Sequence, residues 1–390
     1  MNQGKYVFAQ LLSFADPNEF SRCVERYHWG ARARSFTCWH QFLCMAFGQL
    51  SGRESLRDIV QCLTAHGDKL YHMGLTTGVS RSTFAEANEK RDWRIFADFA
   101  GHLIKEMRGL HDGEELEGLG FDNAVYAFDS STVDLCLSVF WWAKFRRTKA
   151  AIKLHTLYDV RYGVPAFVHV TDGLVHDVRA LELLDFERDA FYVMDRAYLS
   201  YAELYKVHRA GAFFVVRAKV NTKVARVYSR AVDKETGVRC DQTVRFECKD
   251  AVKNYPEHLR RVKYHDGEKR RTMVFLTNNF EIKAEEVARL YKYRWQVELF
   301  FKWIKQHLKV KVFWGESENA VKVQIWCAVC TFVLVAILRH RLKIPQNTYN
   351  ILQILSVSLF DKTPINQLLT KYTLQKEESI VYKQLNMFDL

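Results

Sequence analysis

The chain lacks a metal-type cysteine framework. Its 9 cysteines are scattered, and the lone C-x-x-C, Cys327 and Cys330, has no second pair. It lies inside the apolar run 325–338, so packing within a buried helix is its expected role. That run is too short to span a bilayer comfortably, and Arg339 and Arg341 follow it at once, so a core helix and no membrane partner are expected. The opening MNQGKYVFAQLL has no charged n-region ahead of an h-region. With an odd cysteine count, this points to a reducing, cytoplasmic compartment. No low-complexity tract or internal repeat is visible.

What is abundant is positive charge. Lys plus Arg total 57 against 45 Asp plus Glu, a formal net charge of +12 with a pI near 9.2. Such a surplus favours a polyanionic partner, either nucleic acid or an anionic membrane face. The 390 residues are 48% hydrophobic, enough for a large core and two or three structural units.

Residues 1–118 read as helical. The run 42–50 is apolar, and 53–63 has amphipathic spacing. Ser80 or Ser82 can cap a helix that carries Arg81 in its first turn. A DNA-reading helix-turn-helix offers this, and so does any capped helix. The Gly/Glu/Asp-rich stretch 111–123 is the best linker candidate. Short strands are then expected at 124–129, 153–160 and 164–171, a helix-like segment at 176–185, a strand at 191–194, a helix at 200–210 and a strand at 212–216. Alternating runs between 218 and 281 predict an all-β insertion. Residues 311–390 return to helix and end in a polar tail.

A helix-like run at 285–309 follows the insertion. Leu290, Val297, Phe301, Ile304 and Leu308 line one face of it. Tyr291, Arg294, Glu298 and Lys305 fall within an arc of about 60° beside that stripe, at roughly 100° per residue. Asp129 is expected to close the first strand, and Asp195 the strand 191–194. If those strands are neighbours and the helix crosses their ends, Asp129, Asp195 and Glu298 converge. Clustered carboxylates repel and need cations to stay ionised. Oxygen ligands without Cys or His suit Mg²⁺ or Mn²⁺, and two ions could serve phosphodiester cleavage.

These motifs resemble those of a known family, the IS4-family DDE transposases of bacterial insertion sequences. The family signature is Tyr, two residues, Arg, three residues, Glu, six residues, Lys; Tyr291, Arg294, Glu298 and Lys305 match every spacing, with Trp295 after the Arg. Asp195-Arg196-Ala197-Tyr198 resembles the second motif, with Ala197 where Gly is commoner. Asp129-Ser130-Ser131-Thr132 resembles the first. The resemblance implies an α/β fold: an RNase H-like mixed sheet flanked by helices, at 119–310, interrupted by the insertion at 218–281, with helical N- and C-terminal regions. It implies that Asp129, Asp195 and Glu298 hold two divalent ions, that water frees a 3′-OH at the element's end, and that this end joins target DNA, through a hairpin in relatives with such an insertion. Tyr291, Arg294 and Lys305 would grip phosphates, with Arg196 and Tyr198 beside them. The implied partners are the element's terminal inverted repeats, the target DNA and a second copy of the chain, in the bacterial nucleoid. Two alternatives remain at this point: a structure-specific nuclease without strand transfer, and a catalytically silent DNA-binding protein.

Further residues are read from their own chemistry. Lys144, Arg146, Arg147, Lys149 and Lys153 form a basic run with no acid among them, preceded by Trp141 and Trp142. Cations beside stacking aromatics suit a DNA-contacting loop. His155 and the pair His176-Asp177 read as structural, and Trp295 and Trp303 as packing residues. Hairpin-forming relatives stack an aromatic of the insertion on a flipped base, and the resemblance leaves Tyr228, Phe246, Tyr255 and Tyr264 as equal candidates for that role. Charge reversal across the run 144–153 is expected to weaken DNA binding and flatten its dependence on salt; an unchanged slope of affinity against salt would remove the assignment.

Overall fold

The structure, a computed structural model, describes residues 4–30, 35–75, 78–110, 116, 119–146, 149–268, 270–306 and 312–370, with the backbone alone at 144–146 and 149. It has two compact units. One joins Met1–Leu110 to Lys302–Leu390, and the other is His111–Phe301.

Helices open the chain: α1 (Val7–Leu12), α2 (Pro17–Arg26), α3 (Cys38–Leu50), α4 (Leu56–Ala65), α5 (Arg81–Lys90) and α6 (Arg94–Gly109). Polar caps set their starts. The Ser80 hydroxyl accepts from Thr83 N at 3.1 Å, and Ser55 accepts from Asp58 N at 3.1 Å. The helix capped at Ser80 ends at Arg91, whose backbone is extended, and α6 starts three residues on. Asn319 Nδ2 donates to Asn88 O at 2.8 Å and to Arg91 O at 2.7 Å, so the freed carbonyls are satisfied at the break.

The second unit carries the sheet. Its elements are β1 (Val125–Leu135), β2 (Lys144–Arg146), β3 (Lys149–Asp159), β4 (Val164–Asp172), β5 (Phe191–Met194), α7 (Tyr201–Arg209), β6 (Phe213–Arg217), β7 (Val224–Arg230), β8 (Val238–Phe246), α8 (Lys249–Asn254), β9 (Leu259–Asp266), β10 (Arg271–Thr277), α9 (Ala284–Tyr293) and α10 (Trp295–Gln306), which runs on past the unit's end. Single 3₁₀ segments lie at Asp177–Leu183 and Arg196–Tyr198. Gly163, at φ +67°, makes the turn between β3 and β4.

Among the described residues ten strands form one sheet, in the order β2-β3-β1-β5-β6-β10-β9-β8-β7, with β4 also on β3. β3 is antiparallel to both β1 and β4, while β1, β5 and β6 are parallel. The portion β4-β3-β1-β5-β6 is therefore the expected mixed sheet, antiparallel on one side of β1 and parallel on the other. Two expectations need correction. β1 does not end at Asp129; it runs on through Ser130, Ser131 and Thr132 to Leu135, because β3 pairs with it from Tyr126 to Leu135. The insertion is not all-β, since it contains α8, and its strands continue the core sheet. β10 pairs antiparallel with β6, covering an edge that would otherwise be open.

α9 and α10 also differ from the single helix expected. They meet at Arg294, where the ladder tightens: Arg294 N bonds Tyr291 O at 3.3 Å, and Val297 N bonds Arg294 O at 3.2 Å. The start of α9 is anchored twice. Glu286 accepts from Lys283 N at 2.7 Å and from Gly120 N at 3.0 Å. Arg260 forks onto Asp241 through two bonds of 2.9 Å and donates to Ile282 O at 2.6 Å, with both charged side chains almost wholly buried.

The chain closes with α11 (Glu318–Arg341) and α12 (Thr348–Ser358), back in the first unit. α11 is long and apolar enough to cross a membrane, yet 83% of its most apolar window is buried inside the protein. It packs on α1, α3, α5, α6 and α12 as that unit's central helix. Cys327 and Cys330 are both enclosed there, and burial pushes their thiol pKa values well up.

Truncating one partner of the Arg260–Asp241 pair leaves a buried charge alone. Arg260→Ala is expected to lower unfolding free energy by about 3–5 kcal/mol in urea denaturation; an unchanged midpoint would show that the pair does not anchor α9.

Candidate active site

Register brings the two aspartates together. β1 and β5 are parallel, and Phe128 is level with Met194. Asp129 and Asp195 are the next residues on each chain, so they stand side by side. Asp129 Oδ1 accepts from Ser130 N at 2.8 Å. The helices supply what reaches them. Tyr291, on α9, donates its hydroxyl to Asp195 Oδ1 at 2.7 Å. Arg294, at the α9–α10 junction, donates Nη1 to Asp129 Oδ2 at 2.7 Å and Nη2 to Glu298 Oε1, one turn further along. Its guanidinium also lies 5.6 Å from the centre of the Tyr291 ring.

The electrostatics follow from burial and these contacts. Burial is the largest influence on Asp129 and pushes its pKa up to about 6; the Arg294 charge and the Ser130 N–H pull it down, while Glu298 and Asp195 push it up. Burial also raises Asp195, but the Tyr291 hydroxyl, the Arg196 backbone N–H and the Arg294 and Arg217 charges outweigh it and leave its pKa lowered. Tyr291 is pushed up to about 12, first by burial and then by its bond to Asp195. Burial opposes the Arg294 cation, yet Tyr291, Asp129 and Glu298 leave its pKa raised.

Three carboxylates without Cys or His are hard donors whose chemistry fits Mg²⁺ or Mn²⁺. Among the described residues, no three His, Cys, Asp or Glu are drawn together closely enough to hold an ion. The cation within the cluster is the Arg294 guanidinium, which stands in between Asp129 and Glu298.

Other residues named from sequence fall differently. Lys305 is half-buried in the last turn of α10, two turns beyond Glu298. Arg196 is exposed directly after Asp195. Tyr198 needs correction: it is 1% exposed and packs edge-on against Phe128 at 5.0 Å, so it is a core residue and not a DNA contact. Lys153 is also corrected. It pairs with Asp177 at 3.1 Å and donates to Val175 O at 2.7 Å, so its charge is spent within the protein. The side chains of Lys144, Arg146 and Lys149, and all of Arg147, lie outside the described residues. Trp141, just before them, is 72% exposed. Trp303 packs edge-on against Phe332 at 4.5 Å, whereas Trp295 is 57% exposed and does not pack as expected. Phe246 and Tyr255 are buried, which leaves Tyr228, exposed on β7, as the accessible aromatic of the insertion's four candidates alongside the half-buried Tyr264.

Two residues escaped the sequence reading. Arg217 follows Val216, which is level with Met194 on parallel β6, so it stands beside Asp195. The signal was there: FFVVR ends in a charge, as FYVM is followed by one. Thr156 sits directly across from Asp129 on β3, with its buried hydroxyl unpartnered among the described residues. Only the strand register reveals it.

A family profile described as "Transposase DDE domain" matches residues 120–334, and one described as "Domain of unknown function (DUF4372)" matches 3–76. The chain is 34% identical over 263 residues to a Sinorhizobium fredii protein named as transposase y4zB, covering 65% of this chain and 70% of that one. It is 33% identical over 264 residues to a Geobacillus stearothermophilus protein named as the transposase of insertion sequence element IS5377, covering 67% and 69%. A Synechocystis protein named for insertion sequence element IS4SA is 26% identical over 270 residues, covering 67% and 72%. Among solved structures, a piggyBac transposase synaptic complex with hairpin DNA is similar at a TM-score of 0.47 and 12% identity, covering 100% of this chain and 87% of that one.

The burial of Tyr198 is open to measurement. Tyr198→Ala should cost about 3–5 kcal/mol of stability, as loss of a buried aromatic does. Arg196→Ala, on the surface next door, should stay within about 0.5 kcal/mol of the unaltered protein. Equal melting temperatures for the two variants would return Tyr198 to the surface.

Proposed function

The chain belongs to the DDE transposase family, and from that premise we propose that Asp129, Asp195 and Glu298 form the site at which it cuts the ends of an insertion sequence. Members of the family act on DNA and use divalent metal. The observation that carries the assignment is the level register of β1 and β5, which sets two aspartates side by side, with Glu298 tied to Asp129 through Arg294.

In this reading the three carboxylates would hold two Mg²⁺ or Mn²⁺ ions. When bound, these ions polarise the scissile phosphate and lower the pKa of an attacking water. The chain's own residues orient the substrate. The Arg294 fork suits two phosphate oxygens, Lys305 supplies a point charge, and exposed Arg196 adds a cation beside Asp195. Tyr291 holds the Asp195 carboxylate in place. Trp141 and the basic run after it would carry flanking duplex. Hydrolysis breaks one phosphodiester and leaves a 3′-OH on the element. That hydroxyl then attacks a target phosphodiester and displaces a target 3′-OH. Cutting two ends in concert calls for a homodimer on DNA, acting at the nucleoid in the cytoplasm.

Asp129→Ala, Asp195→Ala and Glu298→Ala should each abolish Mg²⁺-dependent cleavage of a duplex carrying the element's end, while binding of that duplex is largely retained. Undiminished cleavage by any one of them counts decisively against the site. A precleaved 3′-OH end with a target plasmid separates transposition from simple nuclease action: joined product is expected, and its absence would favour the nuclease.

A further inference from the structure

We propose that Arg294 is an internal counter-ion that closes the carboxylate cluster to divalent metal in the DNA-free protein, and that a DNA phosphate opens the cluster by drawing the guanidinium away. The proposal rests on reading Asp129, Asp195 and Glu298 as the metal-holding trio. Each of the three already has an oxygen engaged by a donor from the α9–α10 region. Asp129 Oδ2 and Glu298 Oε1 are spanned by one guanidinium, and Asp195 Oδ1 is held by the Tyr291 hydroxyl. The other oxygen of Asp129 accepts from Ser130 N, so each of its oxygens already accepts one hydrogen bond.

A metal ion and the guanidinium compete for these carboxylates. The two are like charges, and an arginine side chain does not yield by losing its proton. Arg294 must therefore move out before an ion moves in. Its present pose is only partly satisfied, since among the described residues Nε is buried with no hydrogen-bond partner. Leaving costs the salt bridges but relieves that orphan. A phosphodiester offers two oxygens that match the guanidinium fork. Phosphate arrival and ion entry are then one exchange: the cation leaves for DNA, and the vacated carboxylates take up metal. By linkage, DNA must raise metal affinity by the same factor as metal raises DNA affinity. The protein would carry no loaded hydrolytic site until substrate is seated.

Mn²⁺ binding to the full chain, followed by calorimetry or by the EPR signal of free Mn²⁺, tests this without relying on turnover. Arg294→Gln, without DNA, should bind Mn²⁺ at least about tenfold more tightly than the unaltered protein, as expected for removing a coupled competitor. Arg294→Lys, a point charge that cannot span two carboxylates, should fall between them. Adding Asp129→Ala to Arg294→Gln should remove the gain. Equal affinity in the unaltered protein and both variants overturns the proposal, as does a gain that survives Asp129→Ala. If neither variant folds, the unaltered protein still decides. Its Mn²⁺ affinity should rise on adding a duplex carrying the element's end, and tight binding that ignores the duplex overturns the proposal. Mn²⁺-supported cleavage by the unaltered protein is the separate control. Without it the site assignment itself fails, and with it any failure above falls on the Arg294 exchange alone.

Discussion

The parallel pairing of β1 with β5 is the constraint on which the site depends. Parallel strands share a direction, so the residues that follow level partners share a position. Phe128 opposite Met194 makes Asp129 and Asp195 neighbours, and Val216 opposite Met194 adds Arg217 to the row. A slip of one residue would turn an aspartate to the far face of the sheet. The buried alternation around it prevents that slip. Tyr126 and Phe128 point into the cluster holding Tyr192, Met194 and Tyr198, so Asp129 has to face the other side, toward α9 and α10.

Carboxylates set side by side in a half-buried place are unstable neighbours unless something positive joins them. Burial raises Asp129 and its two acidic companions add to the effect, while Arg294 opposes it. The position of α9 and α10 therefore matters as much as that of the strands. The insertion contributes to this position even though it brings no acid to the site. It extends the sheet through β10, and its Arg260–Asp241 pair reaches Ile282, immediately before α9. Desolvation offsets most of the attraction within a buried pair of this kind, whereas removal of one partner leaves an uncompensated charge.

Much of this was legible in the sequence, and the errors have physical causes. The presence of the core strands and the helical arc of Tyr291, Arg294 and Glu298 could be read because each depends on local periodicity. The length of β1 could not. Ser130, Ser131 and Thr132 look like a turn, and only pairing with β3 across a distant stretch makes them strand. The union of β10 with β6 is likewise non-local. Tyr198 sits in a motif that reads as functional, but its ring is enclosed by Phe128, and enclosure leaves no local trace. Lys153 reads as one cation in a run until β3 is folded against the segment that carries Asp177 and Val175.

The spacing of the helical residues acquires a structural reason. Tyr291 and Arg294 are one short turn apart, so both side chains leave the same side of the helix pair. Two adjacent strand ends lie beneath them, so a phenol reaches one aspartate while a guanidinium reaches the other. Glu298, a turn further on, meets the remaining arm of that guanidinium. The residue types are constrained as tightly as the intervals. A lysine at 294 would neutralise one acid and leave its partner alone, and a phenylalanine at 291 would leave Asp195 without its donor. The ladder tightens at Arg294 itself, the residue held from both sides by acid. The motif thus describes a set of acids together with the groups that bond them to one helix pair.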